Sequence, residues 1–239
     1  MLDPRHQSRP EGSPAETIKL GDLRLEPDLS GALWVPDERT LLVADLHFEK
    51  GSAFASRGVH LPPYDTSSTL ALLERAVGQY QPDRVISLGD SFHDDTSRER
   101  MSEADVGRIR SLTQSVHFTW ITGNHDTSPP DDLGGEITSI VDLSGVELRH
   151  EPTTGLGFHC EIAGHLHPVA AVVRRGRRLR RRCFASDGTR MVMPAFGAYT
   201  GGLNVRTEAF APVFPSGKFW AWLLGRDSIY RIHSRHLRG

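Results

Sequence analysis

Cysteine is nearly absent from this chain: Cys160 and Cys183 are the only two in 239 residues, too few for a disulfide framework. Lysine is almost as scarce, at Lys19, Lys50 and Lys218 only, so arginine carries nearly all the positive charge. No window approaches the roughly 18 apolar residues of a membrane span. The N-terminal stretch lacks the apolar run of a secretory signal. A net charge of −2 gives no global sign of a nucleic-acid binder. These absences speak against a secreted disulfide scaffold and a membrane protein, and they read as a protein of a reducing cytoplasm. Residues 1–16, MLDPRHQSRPEGSPAE, are polar and rich in Pro and Ser, and read as a disordered tail. Residues 17–239 show no composition shift and read as one α/β domain.

What the chain does have is a series of short apolar runs that each end in polar residues. They are TLLVADLH (40–47), DRVISLGD (83–90), HFTWITGNHD (117–126), VELRH (146–150) and FHCEIAGHLH (158–167). Such runs read as strands, with the chemistry at the carboxyl end, where open α/β sheets build their sites. Two helices separate the first three. Leu70, Leu73, Val77 and Tyr80 form one apolar stripe, with Asp65 or Thr66 available as N-cap. The second helix starts at Ser102, where SEAD offers a capping box, and buries Val106, Ile109 and Leu112. Hairpins are expected at residues 36–39, within VAAVVRRGRRLRRRCFA, and at residues 225–227. An early βαβα portion followed by a run of strands predicts two packed sheets with helices outside.

Taken singly, the polar clusters are ordinary. Asp45 and His47 are two apart, as are His165 and His167, a spacing that shares a face in extended chain. Gly89-Asp90 is common turn chemistry, whereas an Asn-His pair in Gly123-Asn124-His125-Asp126 suits neither a core nor a helix start.

Their order is more specific. D-x-H, GD, GNHD, a lone His and GHxH follow one another over residues 45–167, which resembles the five-part signature of the calcineurin-like metallophosphoesterases. The lone histidine is His150 or His159. His150 ends VELRH and is followed by Glu-Pro, which stops the strand; His159 sits near the start of its strand, away from His165. His150 is therefore favoured.

The resemblance implies a four-layer αββα sandwich of two mixed β-sheets flanked by helices, and two divalent ions. Asp45, His47 and His167 would hold one ion and Asn124, His150 and His165 the other, with Asp90 bridging. Mixed imidazole and carboxylate ligands suit manganese, zinc or iron better than calcium or magnesium; the resemblance favours manganese. It also gives His125 the task of meeting the phosphate or protonating the leaving oxygen, and makes His93 a further catalytic candidate.

A narrower resemblance extends over most of the chain. ALWVPDERTLLVADLHFEKG, GVHLPP, the HEP and EIAGHLHP pair, and MPAFGAYTGGLNV are similar to the bacterial ligase-associated DNA damage response endonucleases. It implies cleavage of DNA, of single strands first of all, in repair, and functional association with a helicase and an ATP-dependent DNA ligase. GDSFHDD and TWITGNHD also lack the arginines with which the protein phosphatases of the superfamily grip a monoester. Residues 174–182, RRGRRLRRR, place seven arginines in nine positions. Arg174, Arg175, Arg177 and Arg178, with Tyr199, are the candidate DNA contacts, unless the run is an edge strand that blocks aggregation by charge. A small-molecule (nucleotide or cyclic nucleotide) phosphodiesterase or phosphomonoesterase is the alternative on the same scaffold, and a non-catalytic interaction scaffold the third.

Overall fold

A computed structural model describes residues 17–59, 62, 64–155 and 159–239. The tail expected at 1–16 and part of GVHLPP lie outside the described residues, as does Phe158. Seven strands form the first sheet in sequence order: β1 (Ile18–Leu20), β2 (Leu23–Pro27), β3 (Leu33–Val35), β4 (Thr40–Val43), β5 (Arg84–Leu88), β6 (His117–Ile121) and β7 (Glu136–Thr138). The first four run antiparallel as a meander, and β4 to β7 pair in parallel. The crossovers carry the helices α1 (Lys50–Ala55), α2 (Asp65–Tyr80), α3 (Ser97–Arg100) and α4 (Glu103–Ser115).

The second sheet holds β8 (Ile140–Leu143), β9 (Val146–Arg149), β10 (Cys160–Ala163), β11 (Pro168–Arg174), β12 (Arg177–Ser186), β13 (Arg190–Val192), β14 (Leu203–Asn204), β15 (Trp220–Leu224) and β16 (Ile229–His233). It too is mixed: β9, β10 and β13 are parallel neighbours, while β11, β12, β15 and β16 form antiparallel pairs.

Strand alternation sorts the side chains into three apolar layers. Leu42, Ile86, Leu88 and Ile121 of the first sheet meet Leu148, Ile162, Phe184 and Trp222 of the second. On the other side of the first sheet, Leu41, Val43, Val85, Phe118 and Trp120 pack against Leu70, Leu73 and Ala76 of α2 and Val106, Ile109 and Leu112 of α4. Each of these leucines and isoleucines contributes about 1.5–3 kcal/mol of burial. The outer face of the second sheet, with Cys183, Ala185 and Leu223, is covered by Phe210, Val213, Phe214 and Phe219. That cover comes from a 3-10 turn (Glu208–Phe210) and irregular chain, whereas among the described residues α2 and α4 pack on the first sheet.

The local expectations have mixed outcomes. Ser102 caps α4, its Oγ accepting from Asp105 N at 3.1 Å and donating to Asp105 Oδ2. Asp65 and Thr66 do not cap α2, whose N-cap is Tyr64 with no side-chain bond. They are engaged elsewhere: Asp65 accepts Gly51 N–H at 2.8 Å, and Thr66 Oγ1 accepts Glu49 N–H at 2.8 Å, clamping α1 onto α2. Among the described residues no helix is long and apolar enough to cross a membrane.

Candidate metal centre

Every strand named from the sequence stops before its polar cluster. β4 ends at Val43, β5 at Leu88, β6 at Ile121, β9 at Arg149 and β10 at Ala163, so the motif residues lie in the loops that follow. The first sheet delivers Asp45, His47, Asp90, Asn124 and His125; the second delivers His150, His165 and His167. The loops are tied together through the backbone. Asp45 N–H donates to Gly89 O, His47 N–H to Asp90 O, and Gly164 N–H to His150 O.

The face-sharing argument from extended chain does not hold at these positions. Asp45, His47, Asp90, His165 and His167 all have left-handed backbone, with φ of 54, 47, 47, 68 and 45°. Non-glycine residues in this region are uncommon and cluster at functional sites. The turns let Asp45 and His47 converge while His165 and His167 diverge to different groups. Close packing also explains two motif glycines. A Cβ on Gly89 would lie 2.5 Å from the His150 ring, and one on Gly123 would lie 2.2 Å from Asp90 Oδ1.

Two clusters result. Asp45, His47 and His167 form one, Asp90, His150 and His165 the other, each able to turn its ligand atoms to a common point. In the first, His167 Nε2 is 3.2 Å from Asp45 Oδ1 and 3.4 Å from His47 Nε2. In the second, Asn124 Oδ1 is 2.9 Å from both His150 Nε2 and His165 Nδ1. Asp90 faces both: Oδ1 is 3.3 Å from His150 Nε2, and Oδ2 is 3.9 Å from His47 Nε2. His159 is exposed and belongs to neither cluster.

The donor set fits divalent metal ions. His150 Nδ1–H donates to the Leu88 carbonyl at 3.0 Å, which leaves the Nε2 lone pair aimed at Asn124 Oδ1, another acceptor. Acceptors that face each other at such distances need a cation between them. Without a metal, that cation is a proton: burial opposes it, but the hydrogen bond to Asp90 and the charges of Asp45 and Asp90 prevail and push His150 up to about 9. His47 differs, since burial drives it down to about 2 and leaves a neutral ring. Its Nδ1 is buried and has no hydrogen-bond partner among the described residues. Asp90 is held below the usual carboxylate range: burial opposes this, and the His150 hydrogen bond and charge outweigh it.

Beside the clusters, His125 is exposed; its N–H donates to Asp90 Oδ1 at 2.9 Å, and its Nδ1–H to the His93 carbonyl at 3.1 Å. The His93 ring is buried, stacked on His125 with centroids 5.4 Å apart and edge-on to His47 at 5.6 Å. Burial, with Lys50 and His125 nearby, lowers His93 to about 4. Tyr199 is exposed with a left-handed φ of 59°. The segment that carries it crosses the site, because Phe196 N–H donates to Ala44 O and Gly197 N–H to Asp45 O. Arg174, Arg175, Arg177 and Arg178 sit at the far end of the β11–β12 hairpin: Arg178 is in the fifth pair counted from Val169, Arg174 and Arg177 form the sixth, and Arg175 is in the turn.

Two residues escaped the sequence reading. Asp126, within the quoted GNHD, is buried, and its carboxylate accepts four backbone N–H groups: Asp90 at 3.0 Å, Ser91 at 2.7 Å, Phe92 at 3.1 Å and Gly123 at 2.9 Å. It fastens the Asp90 loop to the Asn124 loop. Burial and the Asp90 charge push it up to about 7, against the pull of those N–H groups. Lys50, at the start of α1, is half-buried; burial lowers it, and the charges of Asp45, Asp90 and Asp65 partly restore it. An acid beside a ligand and a lysine after a helix start carry no spacing signal that distinguishes them from surface charge.

Comparison with known proteins places this geometry. Residues 38–174 match the family model described as calcineurin-like phosphoesterase. A crystal structure of Pseudomonas putida nuclease MPE is 32% identical, covering 91% of this chain and 99% of that one with a TM-score of 0.69. Yfce, a phosphoesterase from E. coli, is 15% identical over 81% of this chain and 97% of its own, with a TM-score of 0.39. No curated protein sequence matches significantly.

Proposed function

The chain belongs to the calcineurin-like phosphoesterase family, and from that premise we propose a two-metal phosphodiesterase that cuts DNA internally, in single strands. It is a metal-dependent hydrolase of phosphoester bonds. The observation that carries the reading is Asp90, whose two oxygens face two separate His/Asp clusters. In this reading Asp45, His47 and His167 hold one ion, Asn124, His150 and His165 the other, and Asp90 both. Manganese is the first choice, with zinc or iron as alternatives.

Two divalent ions supply Lewis acidity and lower the pKa of water enough to provide a nucleophile near neutral pH. The protein's own groups do the rest. Asp45 and Asp90 offset only part of the four positive charges, because Asn124 is an amide, and the remainder attracts a singly charged phosphodiester. His125 is oriented at both its backbone N–H and its Nδ1, so that as an imidazolium it presents Nε2–H to meet the phosphate or to pass that proton to the leaving oxygen, becoming the neutral ring. His93, buried and neutral at pH 7, acts through His125, whose Nδ1 its carbonyl fixes.

Three observations favour a polynucleotide. The Pseudomonas putida relative is named a nuclease. The second and third motifs lack arginine. Exposed Tyr199 and the arginine hairpin offer stacking and phosphate contacts. A role in DNA repair beside a helicase and an ATP-dependent DNA ligase follows from the narrower sequence likeness alone. A non-catalytic scaffold is disfavoured because every ligand position and His125 are filled. The test is a matrix of manganese, zinc and magnesium against circular DNA, linear ends and mononucleotides. Turnover confined to mononucleotides or cyclic nucleotides would replace this reading with the small-molecule alternative.

A further inference from the structure

We propose that the cleft between the base of the β11–β12 hairpin and residues 200–202 holds a backbone phosphate of the polynucleotide, away from the one being cut. The inference rests on the nuclease reading and specifies how the strand is held.

The strand register selects the arginines. Because β12 runs back along β11, Arg182 pairs with Val169, Arg181 with Ala170 and Arg180 with Ala171. Val169 is two residues past His167, about 7 Å of extended chain, whereas Arg174 is seven past it, about 23 Å. The base of the hairpin, not its tip, therefore borders the metal ligands. The opposite wall is fastened to the same ligand: Leu203 N–H donates to His167 O at 3.2 Å. Gly202 packs so closely there that a Cβ would lie 2.4 Å from His167 O. Between the walls is a cleft of about 320 Å³, lined by Arg180, Arg181, Arg182, Thr200, Gly201 and Gly202 among others.

Charge identifies the occupant. Arg98, Arg100, Arg108 and Arg110, around α3 and α4, each lie within 4 Å of a carboxylate. Arg180, Arg181 and Arg182 have no carboxylate partner among the described residues and donate to carbonyls instead. Arg180 donates to Gly202 O, Arg181 to Arg180 O, and Arg182 to Ala195 O and Ser30 O. A guanidinium carries five N–H donors, so each retains capacity for a phosphate, which it can bind with two parallel bonds. Arg180 and Arg182, two apart and so on the same face of β12, carry like charge without a carboxylate partner among the described residues, and a polyanion would neutralise it. A strand rises about 3.4 Å per nucleotide, so one whose scissile phosphate is at the metal clusters carries further phosphates on past the start of β11, where Arg182 pairs with Val169.

The test compares Arg180→Ala/Arg181→Ala with the parent chain, both exposed side chains on a strand that keeps its backbone pairing. Binding of a labelled 15-nucleotide single strand is read by fluorescence anisotropy in a His125→Ala background, to prevent cutting. Loss of the phosphate contact reduces the slope of log affinity against log salt by about 0.7, and Kd is expected to rise about tenfold. In the cleavage-competent protein, kcat/KM should fall more on that strand than on bis(p-nitrophenyl) phosphate, whose single phosphate cannot span both places. Arg174→Ala/Arg175→Ala, at the tip, should lose less on the same strand. An unchanged affinity and slope in Arg180→Ala/Arg181→Ala, with the parent cutting DNA, overturns the cleft assignment alone. A parent that hydrolyses bis(p-nitrophenyl) phosphate but neither binds nor cuts DNA overturns the nuclease reading, and the cleft with it.

Discussion

Replacing Asp126 by asparagine should cost about 2–4 kcal/mol of stability, although the residue is assigned no metal and no substrate. Its Oδ1 accepts the N–H groups of Asp90 and Gly123, and its Oδ2 those of Ser91 and Phe92. Asparagine keeps one oxygen and presents an NH2 to the other pair, so two donors lose their acceptor in either orientation. Asp90, Ser91 and Phe92 are buried, so water replaces little. A buried unsatisfied group costs about 1–3 kcal/mol; relief of the desolvated charge returns part of that. Asp126→Ala, which orphans all four, should lose more, a large part of the roughly 5–15 kcal/mol of a typical domain. Urea unfolding of EDTA-treated protein at pH 8 measures the difference. An Asp126→Asn midpoint within about 0.5 kcal/mol of the parent at equal m-value would refute the claim that this carboxylate joins the two loops.

Other outcomes follow from the same geometry. Gly89→Ala places a methyl 2.5 Å from the His150 ring at a φ of +76°, so metal content should fall by one ion per chain; two ions retained would contradict the packing. His150 in the metal-free protein is raised to about 9, so a metal must displace its proton: affinity at that cluster should rise with pH, about tenfold per unit, and level off above about 9. Calorimetry in buffers of different ionisation enthalpy should detect about one proton released near pH 7.5, and none would show that the ring is already neutral. His125→Ala should keep both ions and lose about 10²–10⁴ in kcat; undiminished turnover would mean that the ring does not act in the reaction.

The layers were legible in the sequence because alternation and the 3.6-residue period record burial directly. Leu70, Leu73, Val106 and Ile109 fall in the apolar layer expected of them. The motifs were legible because order and spacing along the chain survive folding. Their geometry was not: Asp45, His47, His165 and His167 looked like strand residues, and only the structure shows the left-handed turns that divide His165 from His167. Asp65 illustrates a second limit, since a residue suited to cap its own helix instead accepts Gly51 N–H from a neighbouring one. The same holds for Asp126, whose four partners are backbone groups that no side-chain pattern records. The arginine run was visible as composition, but the register alone shows that Arg180 to Arg182 pair with Ala171 to Val169 at the base of β11, while Arg174, Arg177 and Arg178 pair at its far end.

The most direct measurement is incubation of the purified protein with circular single-stranded DNA and manganese, with and without EDTA. The account predicts conversion of circles to linear strands and then fragments, abolished by EDTA and by His125→Ala. Circles that stay intact with manganese, zinc and magnesium, in a preparation that hydrolyses a small phosphodiester, would contradict it.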